Sequence, residues 1–310
     1  MKVAVIGAGY WGKNHVREYC NLGQEVVVCD IDPEKLGQIK KDFKVGNATT
    51  KLSDIISDKK TIAASVCVPN QFHFETAKTL LEHGKHILLE KPMTLSYSSS
   101  LELVKLAKKK NLVLNCGHIF RFNNAVKKLR EMVQAKEFGR IYLCKLAWTN
   151  MENIFPDRDI LFDLAPHPFD IVNFVFEKNP QQVYAIGKDF RREGGEEAAF
   201  VNAVLDGILV NLEISWITPK KSRTITLVGE KKTAFVDALQ QTMDVFDIAT
   251  NKIESIPLQP SNPLAAELKQ FIDCIEKKSV SPASGEAGAE VIHIIEKTVE
   301  SMRSKKIVTM

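Results

Sequence analysis

Gly7-Ala8-Gly9-Tyr10-Trp11-Gly12 constrains the fold of this chain more than any other stretch. It follows the apolar run Val3-Ala4-Val5-Ile6 and opens a helical pattern from Trp11 to Leu22. Each glycine meets a separate need. The first permits a tight turn, the second lets the backbone approach a pyrophosphate, and the third lets helix and strand pack closely. The helix start at Tyr10 and Trp11 then offers free N–H groups to phosphates. A second apolar run, Glu25 to Cys29, ends in Asp30, where the fingerprint places the acid that accepts from a ribose 2′-hydroxyl. An acid there repels a 2′-phosphate, so NAD is the expected cofactor and NADP is disfavoured. Asp32-Pro33 reads as the cap and first turn of the next helix.

The alternation continues: helix Glu34 to Lys41, a short helix near Ser53 to Ser57, strand Thr61 to Val68, helix Phe72 to His83 with Asn70 as its expected cap, strand Ile87 to Leu89, helix Ser98 to Lys110 and strand Leu112 to Cys116. This pattern implies a parallel, doubly wound sheet over residues 1–118. Pro69, Asn70 and His73 fall beyond the strand ends, where such sheets bind ligands; His73 otherwise covers the first turn of its helix. The most informative strand end is Ile87-Leu88-Leu89-Glu90-Lys91-Pro92. Lys91 is either a solvated residue leaving the strand or an ammonium aimed at a ligand, with Pro92 restricting it to extended geometry.

The 310 residues are 45% hydrophobic and 26% charged with a net charge of +4, and Lys and Glu are interspersed, so no nucleic-acid footprint is present. Lys108-Lys109-Lys110 reads as the solvated end of a helix. Cys20, Cys29, Cys67, Cys116, Cys144 and Cys274 are scattered without a CxxC pair, which argues for reduced core residues rather than a zinc site or a disulfide framework. Met1-Lys2 runs directly into a strand without a signal peptide, and no apolar stretch is long enough to cross a bilayer. The expectation is a cytoplasmic protein with neither membrane nor nucleic acid as partner.

After Gly117-His118 the texture changes, and residues 119–310 are expected to form a second domain. Helix Asn123 to Ala135 and strand Ile141 to Thr149 lead through irregular Asn150 to Arg158 into short helical pieces around Ile160 to Val175. Strands follow at Gln182 to Lys188, Ala198 to Leu205, Ile208 to Trp216, Arg223 to Val228, Thr233 to Val236 and Thr242 to Phe246; their short gaps imply mostly antiparallel pairing. Leu212, Ile214 and Trp216 share one face. Apolar residues on both faces would need cover, which a subunit interface can supply. Helices Pro263 to Lys277 and Gly285 to Met302 close the chain, the last with room to pack back on the first domain. The fold class is α/β: a doubly wound parallel sheet followed by a second domain with a mostly antiparallel sheet.

Asp163 and His167 are four apart, so one helix would project them to the same side, with Pro166 and Pro168 interrupting that helix. Polar groups in so apolar a stretch are costly to bury unless partnered or used. A satisfied core histidine with an aspartate cap is the plain alternative. Opposite a dinucleotide, Lys91, Asp163 and His167 suffice for hydride transfer from a secondary alcohol: the nicotinamide accepts hydride and the base takes the hydroxyl proton.

Gly7-x-Gly9-x-x-Gly12, Val68-Pro69-Asn70-x-x-His73, Glu90-Lys91-Pro92 and Asp163-x-x-x-His167-x-x-Asp170, in this order and spacing, resemble the Gfo/Idh/MocA oxidoreductase family. The resemblance covers nearly the whole chain, including Ser284-Gly285-Glu286 before the last helix. It implies that Glu90 and Lys91 lie beside the cofactor, that Lys91 contacts the reacting hydroxyl, that His167 is the acid/base and that Asp163 orients or binds substrate. It further implies a Rossmann first domain and an α/β second domain with an open sheet, a cis Lys91–Pro92 bond, a substrate pocket between the domains, and homodimer or homotetramer contacts through the second sheet. Pro168 departs from the family, in which a polar residue often follows the histidine. Gly117 to Asn123 and Gly12-Lys13-Asn14-His15 resemble the branch that acts on nucleotide sugars of the UDP-N-acetylhexosamine type. Arg121 is then either a bidentate partner for a diphosphate or carboxylate, or one half of a surface or interdomain ion pair. Asn150 and Arg158 are further substrate candidates, placed only by the irregular segment that holds them. The implied function is an NAD-dependent dehydrogenase oxidising a ring hydroxyl of a sugar or nucleotide sugar to a ketone. The alternatives are a dehydrogenase of a free polyol or aldose such as inositol, and a non-catalytic dinucleotide sensor. The histidines form no ligand cluster, so no metal is expected.

Overall fold

The computed structural model describes residues 1–153, 159–191 and 194–310, which divide into two units. Residues 1–119 and 262–292 form the first. Its chain alternates β1 (Lys2–Ile6), α1 (Tyr10–Asn21), β2 (Glu25–Cys29), α2 (Pro33–Phe43), β3 (Asn47–Thr49), α3 (Leu52–Ser57), β4 (Thr61–Val66), α4 (His73–Glu82), β5 (His86–Leu89), α5 (Tyr97–Lys110) and β6 (Leu114–Cys116). The strands make a six-stranded sheet in the order β3-β2-β1-β4-β5-β6, parallel throughout. Successive strands run outward from β1 in one direction and from β4 in the other, so the crevice for a ligand lies past the carboxyl ends of these two.

Local chemistry sets the helix ends. Asp32 accepts the backbone N–H of Glu34 and Lys35 to start α2, and Ser96 accepts that of Ser99 to start α5. Lys108, Lys109 and Lys110 fill the last turn of α5, where the helix dipole favours cations. Asn70 does not act as a cap. Asn70–Phe72 is a 3₁₀ turn, and α4 begins at His73 with no side-chain bond to its first turn.

The second unit is residues 120–261 and 293–310. It contains α6 (Asn124–Gln134), β7 (Ile141–Met151), α7 (Ile160–Asp163), α8 (Pro166–Phe176), β8 (Gln182–Lys188), β9 (Ala198–Leu205), β10 (Ile208–Ser215), β11 (Ile217–Gly229), β12 (Lys232–Asp237), β13 (Thr242–Asp247) and β14 (Lys252–Ser255). After α9 (Pro263–Lys277), which belongs to the first unit, α10 (Gly285–Ser304) runs from the first unit into the second and leads to β15 (Val308–Thr309). The nine strands form one sheet in the order β14-β13-β12-β11-β7-β10-β9-β8-β15. Every pair is antiparallel except β7 with β10. The strand expected over Arg223 to Val228 is the C-terminal part of a longer β11, whose register shifts between Ile217 and Ser222.

Alternation assigns the sheet faces. Cys144, Leu146 and Trp148 of β7, Val210, Leu212 and Ile214 of β10, and Ile225 and Leu227 of β11 are all buried on one face. Ile186, Phe200, Leu209, Phe235 and Ile253 stand exposed on the other.

Residues 262–292 group with the first unit, although the sequence reading gave them to the second domain and allowed only the last helix to pack back. The apolar stripe of α9 is the cause: Leu264, Leu268, Phe271 and Ile272 enter the same buried cluster as Val16 and Tyr19 of α1 and Leu36 and Ile39 of α2. At the start of α10, a Cβ on Gly285 would stand 2.8 Å from the Leu114 side chain, so only glycine admits this approach to β6. Among the described residues no helix is long and apolar enough to cross a membrane.

Candidate active site

The glycine turn lies at the carboxyl end of β1. Gly7 has φ +95°, and a Cβ there would fall 2.6 Å from the Cys67 carbonyl oxygen. A Cβ on Gly12 would fall 1.8 Å from the Gly7 carbonyl oxygen, whereas one on Gly9 would meet no heavy atom within 4 Å. Gly7 and Gly12 thus close the turn, and Gly9 borders open space. No side chain caps the N-terminus of α1, and its first turn carries no acid. The N–H groups at Tyr10, Trp11 and Gly12 suit an anion there. Tyr10 is exposed, and Trp11 sits half-buried with the two rings edge to face, 5.7 Å apart.

Asp30 is anchored at both oxygens. Oδ2 accepts the Ala8 N–H at 2.5 Å, and Oδ1 accepts the Asp32 N–H at 2.9 Å. Each oxygen keeps a further lone pair for a hydroxyl donor. Open glycine backbone, free helix N–H groups and an oriented acid fit a dinucleotide.

Past β4, Pro69 is exposed and Asn70 half-buried. His73 does otherwise. Its ring is 1% exposed, with Nδ1 2.8 Å from the Pro92 carbonyl and Nε2 2.9 Å from that of Val68. Burial, the largest influence, holds its pKa below the ordinary histidine value. This ring ties the loop after β4 to the loop after β5 instead of presenting its nitrogens to a cofactor. At the end of β5, Glu90 is buried, Lys91 is half-buried and the Lys91–Pro92 peptide is cis.

The other cluster lies in the second unit. Pro166 and Pro168 do not interrupt a helix; they occupy the first turn of α8, where a missing N–H costs nothing. Asp163 therefore ends α7 while His167 begins α8, and the two do not share one helix face. Both are half-buried. Asp163 Oδ2 accepts the indole N–H of Trp216 at 3.3 Å. The His167 ring meets Phe120 edge to face at 5.0 Å, and Phe120 meets Trp148 at 5.2 Å. Asp159, the cap of α7, has its pKa pushed up to about 6 by burial and then by the neighbouring Glu196 carboxyl.

Arg121 differs from a free anion receptor. Its guanidinium is buried, donates from Nε to Asp170 Oδ1 at 2.7 Å and from NH2 to Asn173 Oδ1 at 2.7 Å, and lies over the Phe174 ring. Of the two readings left open for it, an ion pair is what forms, within its own unit. Asn150 is buried and its Oδ1 accepts from Arg223 NH2 at 2.8 Å. Arg158 lies outside the described residues.

Arg223 escaped the sequence reading. It donates to the carbonyls of Thr149 and Ser222 as well as to Asn150, and burial pulls its pKa down to about 10 against the opposing charges of Asp163 and Glu152. A signal was present: Arg223 shares strand parity with buried Ile225 and Leu227, a charge on an inward face. Trp216 was placed only on a sheet face with Leu212 and Ile214, without regard to its indole N–H. In sum, this cluster places a carboxylate held by an indole, an imidazole and a buried guanidinium in one unit, a set able to orient a polyhydroxyl compound and to exchange a proton with it.

Comparison with known proteins matches two family descriptions to successive parts of the chain. Residues 1–118 match the description "Oxidoreductase family, NAD-binding Rossmann fold", and residues 126–235 match "GFO/IDH/MocA C-terminal domain". UDP-N-acetylglucosamine 3-dehydrogenase of Acidithiobacillus ferrooxidans is 26% identical over 94% of each chain. Its solved structure superposes with a TM-score of 0.90 over 98% of each chain at 25% identity. Myo-inositol 2-dehydrogenase of Thermotoga maritima is 22% identical, covering 99% of this chain and 98% of its own. Levoglucosan dehydrogenase, solved with NADH and levoglucosan, shares the fold with a TM-score of 0.92 at 18% identity, over 100% of this chain and 99% of its own.

Proposed function

Because the chain belongs to the Gfo/Idh/MocA oxidoreductase family, we propose that it is an NAD-dependent dehydrogenase that oxidises a ring hydroxyl of a sugar or nucleotide sugar, of the UDP-N-acetylhexosamine type, to a ketone. The observation that carries this reading is that one chain holds a dinucleotide cradle, Lys91 at a strand end and the Asp163–His167 cluster. A dinucleotide binder that performs no chemistry needs only the first. Bound NAD supplies the hydride acceptor. Gly9, the first turn of α1 and Asp30 hold it, and Asp30 disfavours a 2′-phosphate. Lys91 contacts the reacting hydroxyl, His167 takes its proton, and Asp163, steadied by Trp216, orients the ring. The UDP-sugar class is favoured by the likeness to the Acidithiobacillus enzyme over 94% of both chains. The inositol dehydrogenase relative supports the free-polyol alternative.

The test is a thermal-shift screen with NAD, NADP, UDP-sugars and free polyols, followed by nicotinamide reduction assays on each compound that shifts. A ligand that binds only the folded chain adds about 2.7 kcal/mol of stability at a hundredfold excess over its dissociation constant. The expected result is a rise in melting temperature with NAD, a further rise with one UDP-sugar, and reduction of NAD by that compound. Reduction with inositol and with no nucleotide sugar would select the alternative.

We further propose that Ile186, Phe200, Leu209, Phe235 and Ile253 are covered in a homodimer or homotetramer, since one sheet face carries this many exposed apolar side chains. Light scattering on eluted protein is expected to give a multimer for the native chain and a monomer for the doubly charged variant Phe200→Glu/Leu209→Glu. A monomeric native chain removes the idea.

A further inference from the structure

Gly12-Lys13-Asn14-His15 carries the glycine turn into α1, and the proposed reaction leaves His15 without a task. Its imidazole is 0% exposed, and Nε2–H donates to Glu90 Oε1 at 2.8 Å. An ionised carboxylate only accepts, so the proton of this bond belongs to the ring. Nδ1 has no hydrogen-bond partner among the described residues, so the Nε2 bond is the hydrogen bond that orients the imidazole, beside its edge-to-face contact with Tyr19. The second oxygen of Glu90 accepts the backbone N–H of Lys91 at 3.2 Å.

Glu90 is fixed from other sides as well. Its own N–H donates to the Val66 carbonyl at the end of β4. A Cβ on Gly117 would stand 2.9 Å from Glu90 Oε2, so the carboxylate rests against bare backbone just after β6. Burial pushes the Glu90 pKa up, but the His15 bond and the charges around it outweigh this and hold the group below the usual carboxylate value. A buried carboxylate paired with a buried imidazole is a costly arrangement to keep for packing alone.

We propose that His15 is a positioning residue for Lys91: it fixes the Glu90 carboxylate, and through it the backbone from which Lys91 projects, so that the helix opening on the dinucleotide turn and the lysine are held in one register. This rests on the reading of Lys91 as a group that contacts substrate.

The full chain is compared with His15→Leu, His15→Gln and His15→Asn. The glutamine amide can stand where Nε2–H stands, while that of asparagine falls one methylene short. One readout needs no substrate: the rate at which trinitrobenzenesulfonate modifies each lysine, followed by peptide mass spectrometry. The other is kcat and KM with the dinucleotide dissociation constant alongside. Displacing a reacting group by a fraction of an ångström to an ångström costs up to about 100-fold. His15→Leu and His15→Asn are therefore expected to change the Lys91 rate relative to Lys13 and to lower kcat roughly 10- to 100-fold with dinucleotide affinity little changed. His15→Gln recovers most of both. Equal Lys91 rates in native, Gln and Asn proteins overturn the proposal, as does a uniform rise at every lysine, which signals loosened structure. Should His15→Leu fail to fold, the Gln and Asn pair decides. A Lys91 rate that responds to His15 in a chain that oxidises no sugar upholds the positioning and removes only the proposed reaction.

Discussion

Lys91→Ala is expected to lose at least roughly 1,000-fold in kcat, about 4 kcal/mol of transition-state stabilisation, while binding NAD within a few-fold of the native chain. The two effects separate because of where the residue sits. Ile87, Leu88 and Leu89 beneath it are 0% exposed, so the sheet fixes the backbone that carries it. Its side chain is half-buried past the strand end and fills no core position, so truncation leaves the cluster around β1 and β5 intact. The phosphate and ribose contacts proposed for Gly9, the first turn of α1 and Asp30 lie on other elements. Lys91→Arg is expected to be nearly as inactive, because its longer side chain and planar fork do not occupy the place of an ammonium. Initial rates with the substrate found in the screen, and tryptophan fluorescence titration with NAD, measure the two quantities. Full activity in Lys91→Ala would remove the catalytic reading and leave a dinucleotide sensor as the better account.

The first unit was legible from sequence because its signals are local. Period-two and period-3.6 patterns, a glycine turn and an acid at a strand end each declare themselves within a few residues, and five of the six strands of the parallel sheet fall where these signals put them. What sequence could not supply was anything set by distant packing. The apolar stripe on α9 is visible, but nothing in it says that Val16 and Tyr19 receive it. β3, β14 and β15 are two to four residues long, too short for a pattern. The site shows the same split. Gly7, Gly9, Gly12 and Asp30 could be named because their geometry is intrinsic to a turn. The ligand readings of His73 and Arg121 stayed open because the carbonyls and the aspartate that engage them lie 5 to 49 residues away. Arg223 was missed for the converse reason: its partners Thr149 and Asn150 are more than 70 residues earlier, and only the strand parity betrays it. Prolines misled in one place, where Pro166 and Pro168 begin a helix that they were expected to interrupt.

Gly12→Ala and Gly9→Ala are expected to fail in opposite ways. At Gly12 the new methyl would stand 1.8 Å from the Gly7 carbonyl oxygen and 2.9 Å from its carbon, both backbone atoms. Gly7 cannot retreat, since its own Cβ position is 2.6 Å from the Cys67 carbonyl oxygen. The helix must move instead, and it carries Val16 and Tyr19 in the buried cluster. Overpacking of this kind costs about 1–3 kcal/mol and often more when backbone is the obstacle. A melting temperature lower by several degrees is expected, with dinucleotide binding lost as the turn distorts. At Gly9 the methyl meets nothing within 4 Å, and φ is −72°, open to any residue. The ligand-free melting temperature should stay near that of the native chain, since an unopposed surface methyl changes stability by no more than about 0.5 kcal/mol. Yet the methyl occupies the approach a pyrophosphate takes to the backbone, so the stabilisation by NAD should disappear. Melting curves of the three proteins with and without NAD read both effects at once. Native affinity in Gly9→Ala would mean that the turn is not the phosphate site, and the cofactor assignment would fall with it. A native melting temperature in Gly12→Ala would mean instead that a small rotation of α1 relieves the clash, leaving the third glycine without the packing role its spacing implies.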